Sequence, residues 1–473
     1  MASTAPAYSP QDIVRGAAAL TIDSRIVSEG AVFVALRGTH TDGHNFIDDA
    51  IARGARTIVM ERRRDLPAGV RGVVVDDSAR ALAELAAAFY GEPAAALTLV
   101  GVTGTNGKTT TAQMIAAVLG AAGIPAGVIG TLGASFDGYS EHLQNTTPLA
   151  NELHRLLAEL RGRGARAVVL EVSSHALALA RVSGIRFAVA VLTNVTRDHL
   201  DFHGTFESYA TAKRALFDAC DRAVFNLDDE CGLAWSRAFD AARMLTYSLR
   251  GSADFVAETL ETGVEGSSFF VDGQRFDLPL AGRFNVANAL AAIAASRALE
   301  LSLSDAVRGL RTLGGVRGRM ERVGEGPVQV FIDYAHTPDA LGSALRSLRE
   351  LSAGALTVVF GCGGDRDRGK RREMGAIAAR LADRIVITSD NPRSEDAAEI
   401  ARQVAEGAGE DRVEIVLNRR EAIEGAIAAA GPDAIVLVAG KGHERYQIIG
   451  EGVLPFDDRE VAVAALRRRS QSS

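Results

Sequence analysis

Short apolar runs alternate with amphipathic stretches along most of the chain, and this pattern predicts where strands and helices lie. Within residues 1–95, β-branched runs at 31–36 and 56–60 predict strands, and an Ala/Leu-rich stretch at 78–90 predicts an amphipathic helix. A Gly-Glu-Pro turn at 91–93 then interrupts the pattern. We therefore expect a small α/β domain before this turn.

From residue 97 the apolar runs lengthen, and helical periodicity follows them. Runs of this length, separated by helices, indicate a parallel sheet that is covered on both faces. They stand at 97–104, 167–174, 187–195 and 223–229. Residues 253–281 predict a β-meander, and residues 284–296 predict a packed helix. A Gly/Arg-rich stretch at 312–319 marks a second boundary, so the central domain covers residues 96–314.

Strand-helix alternation restarts in a third domain, residues 315–473. Its apolar runs predict a second open parallel sheet, and they stand at 328–336, 356–364, 384–392, 412–418 and 434–444. In such sheets, ligands bind beyond the carboxyl ends of the strands. Two polar motifs, SDNPR (389–393) and GKGHE (440–444), lie at such ends. The predicted fold class is α/β with three domains.

Composition excludes several classes of protein. The formal net charge of -7 leaves no broad basic field for nucleic acid. No apolar run approaches the ~18 residues that span a bilayer, and the amino-terminal segment has no signal-peptide pattern. The three cysteines, Cys220, Cys231 and Cys362, show no metal-type spacing and suggest a reducing compartment. We expect a cytoplasmic protein that binds neither nucleic acid nor membrane.

Lysine is rare in this chain. Only four of the 52 basic residues are lysines, and they are Lys108, Lys213, Lys370 and Lys441. A compact ammonium can contact a phosphate, lose its proton or be modified, whereas a guanidinium stays charged and planar. The four positions are therefore candidate sites of chemistry. The alternative for Lys213 is a solvated charge on an amphipathic helix.

The run GTNGKTT (104–110) follows a predicted strand and opens a predicted helix. In this context glycines let backbone N–H groups approach phosphates, Lys108 supplies charge, and the Thr109 hydroxyl can bind Mg2+. Val102 stands where the usual Walker spacing has its first glycine, and a chance Gly-rich turn is the alternative. The expected ligand is ATP.

Candidate magnesium ligands follow the next two strands. Glu171 ends the first, and Asp198 and His199 follow the second. Carboxylates at strand ends are normal Mg2+ partners, while imidazole is less usual. The alternative is that the DHLD sequence caps a helix and its histidine is only hydrogen-bonded.

Nine motifs in order resemble the Mur ligase family, and the resemblance runs from about Asp23 to Glu444. They are GTNGKTT, EVSSHAL, TNVTRDHLDFHG, YATAKRALF, GRFNVANALAA, DYAHTPDAL, GGDRDRGKRREM, SDNPR and GKGHE. The resemblance implies an amino-terminal domain for a uridine nucleotide, a central ATPase domain with a P-loop-type sheet, and a Rossmann-like third domain for an amino acid. It also implies that Lys213 is carbamylated, since a carbamate oxygen can orient Mg2+ whereas an ammonium is repelled.

The resemblance also implies a role for each matched residue. Lys108, Glu171, His199 and Lys213 would be catalytic, and Thr109, Glu171, His199 and the Lys213 carbamate would arrange Mg2+. The ATP positions would be Gly104, Thr105, Asn106, Gly107, Lys108, Thr109, Thr110, Asn285, Asn288, Arg319, Asp333 and His336. The UDP-muramoyl substrate would meet Ser24, Asn145, Thr146, Thr147, Ser173 and Arg181. Leu179 replaces a glutamine that is common in the family, which removes one substrate hydrogen bond.

The amino-acid set in the third domain would be Arg366, Asp390, Asn391, Pro392, Arg393, Gly440 and Glu444. Within the family, DNPR accompanies meso-diaminopimelate, because a buried Arg393 guanidinium can clamp the distal carboxylate that lysine lacks. Glu444 suits the ammonium. The alternative for Asp390 to Arg393 is a simple Asx-Pro turn.

The implied reaction adds meso-diaminopimelate to UDP-N-acetylmuramoyl-L-alanyl-D-glutamate through an acyl phosphate, using ATP and Mg2+, in peptidoglycan synthesis for cell-wall growth, shape and division. We expect a monomer that works on these small molecules. The alternatives are a lysine-adding member of the family, a folylpolyglutamate-type ligase, and a regulatory ATPase.

Overall fold

The computed structural model describes residues 8–38, 41–324, 326–351, 353–409 and 412–472. Parallel strands alternate with helices through most of these ranges, which confirms the α/β class. No helix among these residues is both long and apolar enough to cross a membrane.

The first sheet has four parallel strands in chain order. They are β1 (Leu20–Thr21), β2 (Val32–Val34), β3 (Thr57–Met60) and β4 (Arg71–Val74). The helices of this part are α1 (Pro10–Val14), α2 (Ile47–Ala52) and α3 (Ser78–Phe89). Asp77 caps α3 by accepting from two backbone N–H groups of its first turn, and the helix buries its Ala/Leu face.

The central sheet has nine strands in the order β13-β12-β11-β10-β5-β9-β6-β7-β8. They are β5 (Thr98–Thr103), β6 (Ala126–Gly130), β7 (Gly133–Phe136), β8 (Tyr139–Glu141), β9 (Ala167–Glu171), β10 (Phe187–Leu192), β11 (Cys220–Asn226), β12 (Met244–Ser248) and β13 (Phe255–Val256). β5 lies between β10 and β9 and is parallel to both. The segments that follow these three strands therefore meet at one edge of the sheet.

Helices and a small meander complete the central part. The helices are α4 (Lys108–Ala121), α5 (Ala150–Gly162), α6 (Ser174–Ala178), α7 (Leu200–His203), α8 (Phe206–Asp218), α9 (Glu230–Ala238), α10 (Arg283–Ala298) and α11 (Leu303–Arg311). The meander is antiparallel and consists of β14 (Glu258–Gly263), β15 (Gly266–Val271) and β16 (Gln274–Leu278). The Ala-rich α10 is buried almost all round and packs with α4 in the core.

A six-stranded sheet in the order β17-β18-β22-β19-β20-β21 forms the last part. Its strands are β17 (Glu321–Val323), β18 (Gln329–Asp333), β19 (Leu356–Phe360), β20 (Arg384–Ile387), β21 (Val413–Ile415) and β22 (Ile435–Ala439). Its helices are α12 (Pro338–Leu351), α13 (Gly369–Leu381), α14 (Ala397–Ala408), α15 (Arg419–Ala429) and α16 (Asp458–Ser472). A separate hairpin joins β23 (Tyr446–Ile449) to β24 (Gly452–Pro455).

Several sequence expectations differ from this architecture in detail. The central sheet is not parallel throughout, because β7 pairs antiparallel with both β6 and β8. In the six-stranded sheet, the edge strand β17 is also antiparallel to its neighbour, β18. The run at 223–229 ends as a strand at Asn226, since Leu227 begins the turn into α9. Neither β17 nor the β23–β24 hairpin was predicted.

Candidate active site

The phosphate loop, residues 104–107, turns the chain from β5 into α4. Gly104 and Gly107 have φ angles of +153° and +84°, and a Cβ atom on Gly104 would lie 1.8 Å from Thr193 Oγ1. Glycine is therefore required there by both conformation and space. α4 begins at Lys108 without a side-chain cap, and helix N-termini of this kind present backbone N–H groups to anions.

Lys108 and Lys213 converge on this loop. Lys108 Nζ donates to the carbonyl oxygens of Gly104 (2.8 Å) and Thr105 (2.9 Å). Lys213 Nζ, whose residue is 1% exposed, donates to the same Gly104 oxygen (2.8 Å) and lies 4.6 Å from the centre of the Tyr209 ring. The position of Lys213 contradicts the alternative of a solvated surface charge.

Burial makes both ammonium groups costly. It lowers the pKa of Lys213 well below its ordinary value, and the nearby Lys108 charge lowers it further. Burial also lowers the pKa of Lys108, against the opposite influence of Glu171 and Asp198. The arrangement therefore favours a neutral, nucleophilic amine on Lys213.

Glu171 ends β9 and is surrounded by hydroxyl and amide donors. Its Oε2 accepts from Thr109 Oγ1 (3.0 Å) and Thr131 Oγ1 (3.0 Å), while its Oε1 accepts from the Thr131 backbone N–H (2.9 Å). Thr109 Oγ1 also accepts from Arg319 Nη2 (3.2 Å). A Cβ on Gly130 would lie 2.1 Å from Glu171 Oε1, which explains the glycine beside the carboxylate.

His199 adopts a left-handed conformation (φ +52°) just before α7, and its side chain does not cap that helix. Its ring lies 4.8 Å from that of His175 and 6.2 Å from that of Tyr209. Burial lowers the pKa of His199. The capping alternative therefore has no support, and the His199 imidazole lines the cavity described next.

A cavity of 490 Å³ lies between the phosphate loop and the start of α12. Most residues predicted for ATP line it, and they are Thr105, Asn106, Gly107, Lys108, Thr109, Thr110, Asn288, Arg319, Asp333 and His336. Glu171, Asp198 and His199 line it as well. Gly104 and Asn285 are not among the described lining residues. Asn285 instead donates to Ala281 O (2.8 Å) and accepts from Asn288 Nδ2 (3.3 Å), and so supports Asn288.

Asp339 joins the two halves of the cavity, and sequence reasoning missed it. Its Oδ2 accepts from Asn106 Nδ2 (3.0 Å) and Thr196 Oγ1 (3.0 Å). The only local indication was an acidic residue in the first turn after a proline. The partners lie 233 and 143 residues away along the chain, so no local pattern predicts the contact.

Arg319, Asp333 and His336 surround the opposite wall. The Arg319 guanidinium lies 4.6 Å above the Tyr334 ring. Asp333 accepts from the backbone N–H groups of Met320 (2.6 Å) and Ala335 (2.8 Å), and burial raises its pKa. Lys370 fixes the backbone of His336, because Lys370 Nζ donates to the His336 carbonyl oxygen (2.9 Å).

Three residues of the predicted uridine-muramoyl set meet beside Glu171. Arg181 Nη1 donates to Thr147 O (2.8 Å), Thr147 Oγ1 donates to Glu171 O (2.8 Å), and the Ser173 N–H donates to Thr147 Oγ1 (3.0 Å). Thr146 and Asn145 precede this group, and Thr146 lines the cavity. Ser24 lies apart, in a short 3-10 turn after β1 (Ser24–Ile26), with no hydrogen bond to the group among the described residues.

A second cluster lies at the carboxyl ends of β20 and β22. The fully buried Lys441 Nζ donates to Asn391 Oδ1 (2.9 Å) and Glu444 Oε2 (2.9 Å), and lies 3.7 Å from Asp390 Oδ1. Asn391 Nδ2 also donates to Glu444 Oε2 (2.9 Å). Gly440 is required because a Cβ there would lie 2.7 Å from Asp390 Oδ2.

These contacts change two expectations. Glu444 already accepts from an internal ammonium, that of Lys441. Lysine scarcity and the motif GKGHE pointed to Lys441 in the sequence, but neither assigned it this role. The Asx-Pro turn alternative fails, since Asn391 Oδ1 accepts from Lys441 and from the Ile448 backbone N–H (3.0 Å). Asp390 likewise faces Lys441.

Arg393 is half-buried, so the prediction of a buried guanidinium is wrong in degree. Its Nη1 donates to Gly364 O (2.7 Å), and its other guanidinium donors have no hydrogen-bond partner among the described residues. Pro392 next to it is buried, whereas Arg366 is exposed. Arg393 has φ +53°, a strained conformation for a non-glycine residue.

Some of the donors fit Mg2+ and others do not. Thr109 and Glu171 bring hard oxygen donors into mutual contact, as Mg2+ requires. An unmodified Lys213 offers a cation no oxygen, and its carbamate would. Among the described residues, no three His, Cys, Asp or Glu side chains form a metal-binding group.

The fold and this site define an ATP-dependent ligase of the Mur type, and the chain belongs to the Mur ligase family. Three family domains match it: the catalytic domain at residues 17–90, the middle domain at 102–296, and the glutamate ligase domain at 318–442.

Individual proteins show which members of the family this chain resembles. The chain is 44% identical over 480 residues to the UDP-N-acetylmuramoyl-L-alanyl-D-glutamate--2,6-diaminopimelate ligase of Thermosynechococcus vestitus, covering 99% of this chain and 97% of that protein. It is 44% identical over 459 residues to the Pseudomonas aeruginosa ligase of the same name, covering 94% of each. A solved structure of a ligase with this name is 34% identical, with a TM-score of 0.68 over 96% of this chain and 95% of that one. A folylpolyglutamate synthase from Mycobacterium tuberculosis shares the fold at 21% identity, with a TM-score of 0.61 over 82% of this chain and 94% of that one.

Proposed function

We propose that this protein joins meso-2,6-diaminopimelate to UDP-N-acetylmuramoyl-L-alanyl-D-glutamate at the expense of ATP, in peptidoglycan precursor synthesis. One observation carries the proposal. A single cavity combines a phosphate loop, Lys108 and a strand-end carboxylate with residues from the part of the chain that forms the six-stranded sheet, and Lys213 contacts the same loop at Gly104 O. Relatives at 44% identity that bear this activity in their names support the choice of substrates.

Each part of the chain has a proposed task. Residues 1–95 would hold the uridine nucleotide with Ser24, residues 96–314 would hold ATP, and residues 315–473 would bring the amino acid. The Thr147, Ser173 and Arg181 group would contact the muramoyl peptide, because it adjoins Glu171. The reaction would take place in the cytoplasm, in a monomer.

Lys213 is proposed to carry a carbamate. Its neutral amine would attack the carbon of CO2, forming an N–C bond while one C=O bond opens to an oxygen anion and the amine releases a proton to water. The burial and the neighbouring Lys108 charge that disfavour its ammonium support this step. Thr109, Glu171, His199 and the carbamate would then hold Mg2+, which supplies charge neutralisation at the transferring phosphate.

In the first step, a D-glutamyl carboxylate oxygen would attack the γ-phosphorus in line. The bond to the bridging oxygen of ADP breaks, and an acyl phosphate forms. Lys108 would donate to the γ-phosphoryl oxygens from the phosphate loop. The free amine of diaminopimelate then attacks the acyl carbon, phosphate leaves, and the amine proton is lost. Contacts such as Asp339 to Asn106 would exclude water from the intermediate.

An acceptor panel tests this function. Purified protein would receive ATP, Mg2+ and UDP-muramoyl dipeptide with diaminopimelate, lysine or glutamate, and amide product and ADP would be measured. We expect amide formation with diaminopimelate and ADP release only when both carboxylate and amine are present. In a parallel reaction with a folate in place of the dipeptide, glutamate transfer would indicate the folylpolyglutamate-type alternative. ATP hydrolysis without any uridine substrate would indicate a regulatory ATPase.

A further inference from the structure

A hydrogen-bond network that the proposed reaction does not use ties together the two loops carrying the arginines of the amino-acid set. The 361–368 loop connects β19 to α13 and contains Arg366. The 388–395 loop connects β20 to α14 and contains Arg393. The Gly364 N–H donates across the gap to Asn391 O (2.9 Å), so the loops also touch through their backbones.

Side chains join the loops at Asp365. Its carboxylate accepts from the Ser394 backbone N–H (3.2 Å) and from Ser394 Oγ (2.7 Å). Its own backbone N–H donates to Glu395 Oε1 (2.7 Å). Each loop therefore supplies both a donor and a carboxylate to the other.

Arg371 holds Glu395 in this junction. Arg371 lies on α13, is fully buried, and donates to both carboxylate oxygens of Glu395 (3.0 and 2.9 Å). The same guanidinium donates to Gln403 Oε1 (2.8 Å) on α14 and to Gly363 O (3.3 Å). Bidentate pairs of this kind fix geometry as well as add energy. We call the Arg371–Glu395 pair the clamp.

The clamp holds a strained backbone. Asp365 and Arg393, one in each loop, both have φ +53°, a conformation that persists only where its surroundings over-determine it. Arg393 is additionally fixed by the hairpin, since its N–H donates to Ile448 O (3.1 Å) and its carbonyl accepts from the Gly450 N–H (2.8 Å). The direction of its side chain follows from this backbone.

We propose that Arg371 and Glu395 are positioning residues that set the selectivity for a diamino acid with a second, distal carboxylate, by fixing the direction of the Arg393 guanidinium. The inference rests on the proposed function. Among the described residues, the Arg393 guanidinium has one hydrogen bond, from Nη1 to Gly364 O (2.7 Å). Gly364 belongs to one of the two loops that the clamp joins, so the clamp acts on the guanidinium through this loop. A monocarboxylic diamino acid makes no use of the resulting direction.

Selectivity measured on clamp variants tests this idea. Wild-type protein, Glu395→Gln, Arg371→Lys and Asp365→Asn would be compared by kcat/KM with diaminopimelate and with L-lysine, at saturating ATP and UDP-muramoyl dipeptide. For Glu395→Gln we expect the diaminopimelate-to-lysine ratio to fall about tenfold through the diaminopimelate KM, because small misplacements of positioning groups are costly. The ATP KM should stay within about twofold of wild type.

A matched control lies one residue along α13. Arg372 pairs with Glu406 (2.8 Å) and so joins the same two helices on their exposed side, away from both loops. Glu406→Gln should therefore leave the selectivity ratio unchanged. A structural loss alone would lower activity with both amino acids and would not change the ratio.

The outcomes separate the two proposals. A wild-type protein that forms no amide with any acceptor overturns the proposed function and this inference together. A wild type that prefers diaminopimelate, with folded Glu395→Gln keeping the same ratio, overturns only the inference. If Glu395→Gln does not fold, Asp365→Asn decides in its place, since asparagine tolerates the left-handed conformation. It replaces one of the two carboxylate oxygens that accept from Ser394 by an amide donor.

Discussion

Lys108 and Lys213 donate to the same acceptor, the carbonyl oxygen of Gly104, each at 2.8 Å. Two ammonium groups on one buried oxygen repel each other, and one of them is stabilised by losing its charge. Lys213 is the more deeply buried of the two. This relationship supports the proposal that Lys213, and not Lys108, is the lysine that is modified.

Replacing Lys213 tests the carbamate. Lys213→Ala should lower kcat by about 10- to 100-fold, as loss of a group that orients a metal does, and short carboxylates added to the assay should restore part of the activity. Lys213→Arg should be inactive, since guanidinium forms no carbamate. Steady-state kinetics with and without acetate would check both. Arg214→Ala, on the exposed side of α8, is the matched control, and an active Lys213→Arg protein would contradict the role.

Replacing Arg393 tests recognition of the distal carboxylate. Because the guanidinium is half-buried, we expect Arg393→Ala to raise the diaminopimelate KM about 10- to 100-fold. The ATP KM should change little, since the phosphate loop is a separate part of the site. Initial-rate measurements with each substrate varied in turn would check this. Arg402→Ala, an exposed arginine of α14, serves as control, and equal increases in both KM values would argue against the assignment.

His154 on α5 should make stability depend on pH. The residue is 2% exposed, neither ring nitrogen has a hydrogen-bond partner among the described residues, and burial lowers its pKa to about 4. The unfolded chain binds the proton near pH 6.5 while the folded chain does not, so stability falls as the pH drops from about 6.5 to about 4. Between pH 7 and pH 5 the loss from this group should be about 2 kcal/mol.

Urea unfolding at pH 7 and pH 5 would measure this loss. His154→Leu and His154→Gln cannot titrate in this range, so both should lose less stability than wild type over the same interval. The leucine variant replaces the imidazole by an apolar side chain. The glutamine variant keeps polar atoms at this position and is the control for their loss. An equal pH dependence in wild type and both variants would show that His154 does not contribute.

Arg419 and Asp458 form a fully buried ion pair (2.6 Å) at the starts of α15 and α16. Arg419 also donates to Ala439 O (3.0 Å), at the end of β22. Arg419→Ala should destabilise the protein by about 3–5 kcal/mol, because it strands a buried carboxylate. Arg420→Ala, the exposed neighbour, should cost less than about 1 kcal/mol. Denaturant unfolding of both variants checks the contrast, and similar losses would refute it.

Local patterns of apolar and polar residues predicted the strands and helices whose own residues form the buried core. The apolar run at 167–174 predicted the strand β9, and the periodic stretch at 78–90 predicted the helix α3. Both predictions had small errors at the ends of the elements. The strand β17 and the hairpin β23–β24 were missed because each is short and has little apolar alternation. Their pairing partners, not their own residues, decide that they are strands.

For the candidate site, motif spacing identified the residues but not their partners. Lysine scarcity singled out Lys441, yet nothing local indicated that its ammonium would meet Asn391 and Glu444. The clamp could not be predicted either, since Arg371 resembles the other arginines of the motif GKRRE. Which of them is buried depends on how α13 packs against α14, and that is a long-range property.

The retention of lysine at only four positions has a practical consequence. Lys108 and Lys213 donate hydrogen bonds to the phosphate loop, Lys370 donates to the carbonyl oxygen of His336, and Lys441 donates to Asn391 in the second cluster. An acylating reagent for amines would thus leave the ordinary outer surface of the described chain untouched. Lys213 and Lys441 are buried, whereas Lys108 and Lys370 are partly exposed. Protection of Lys108 or Lys370 from such a reagent, read by mass spectrometry, would therefore report a molecule bound at the phosphate loop or beside His336.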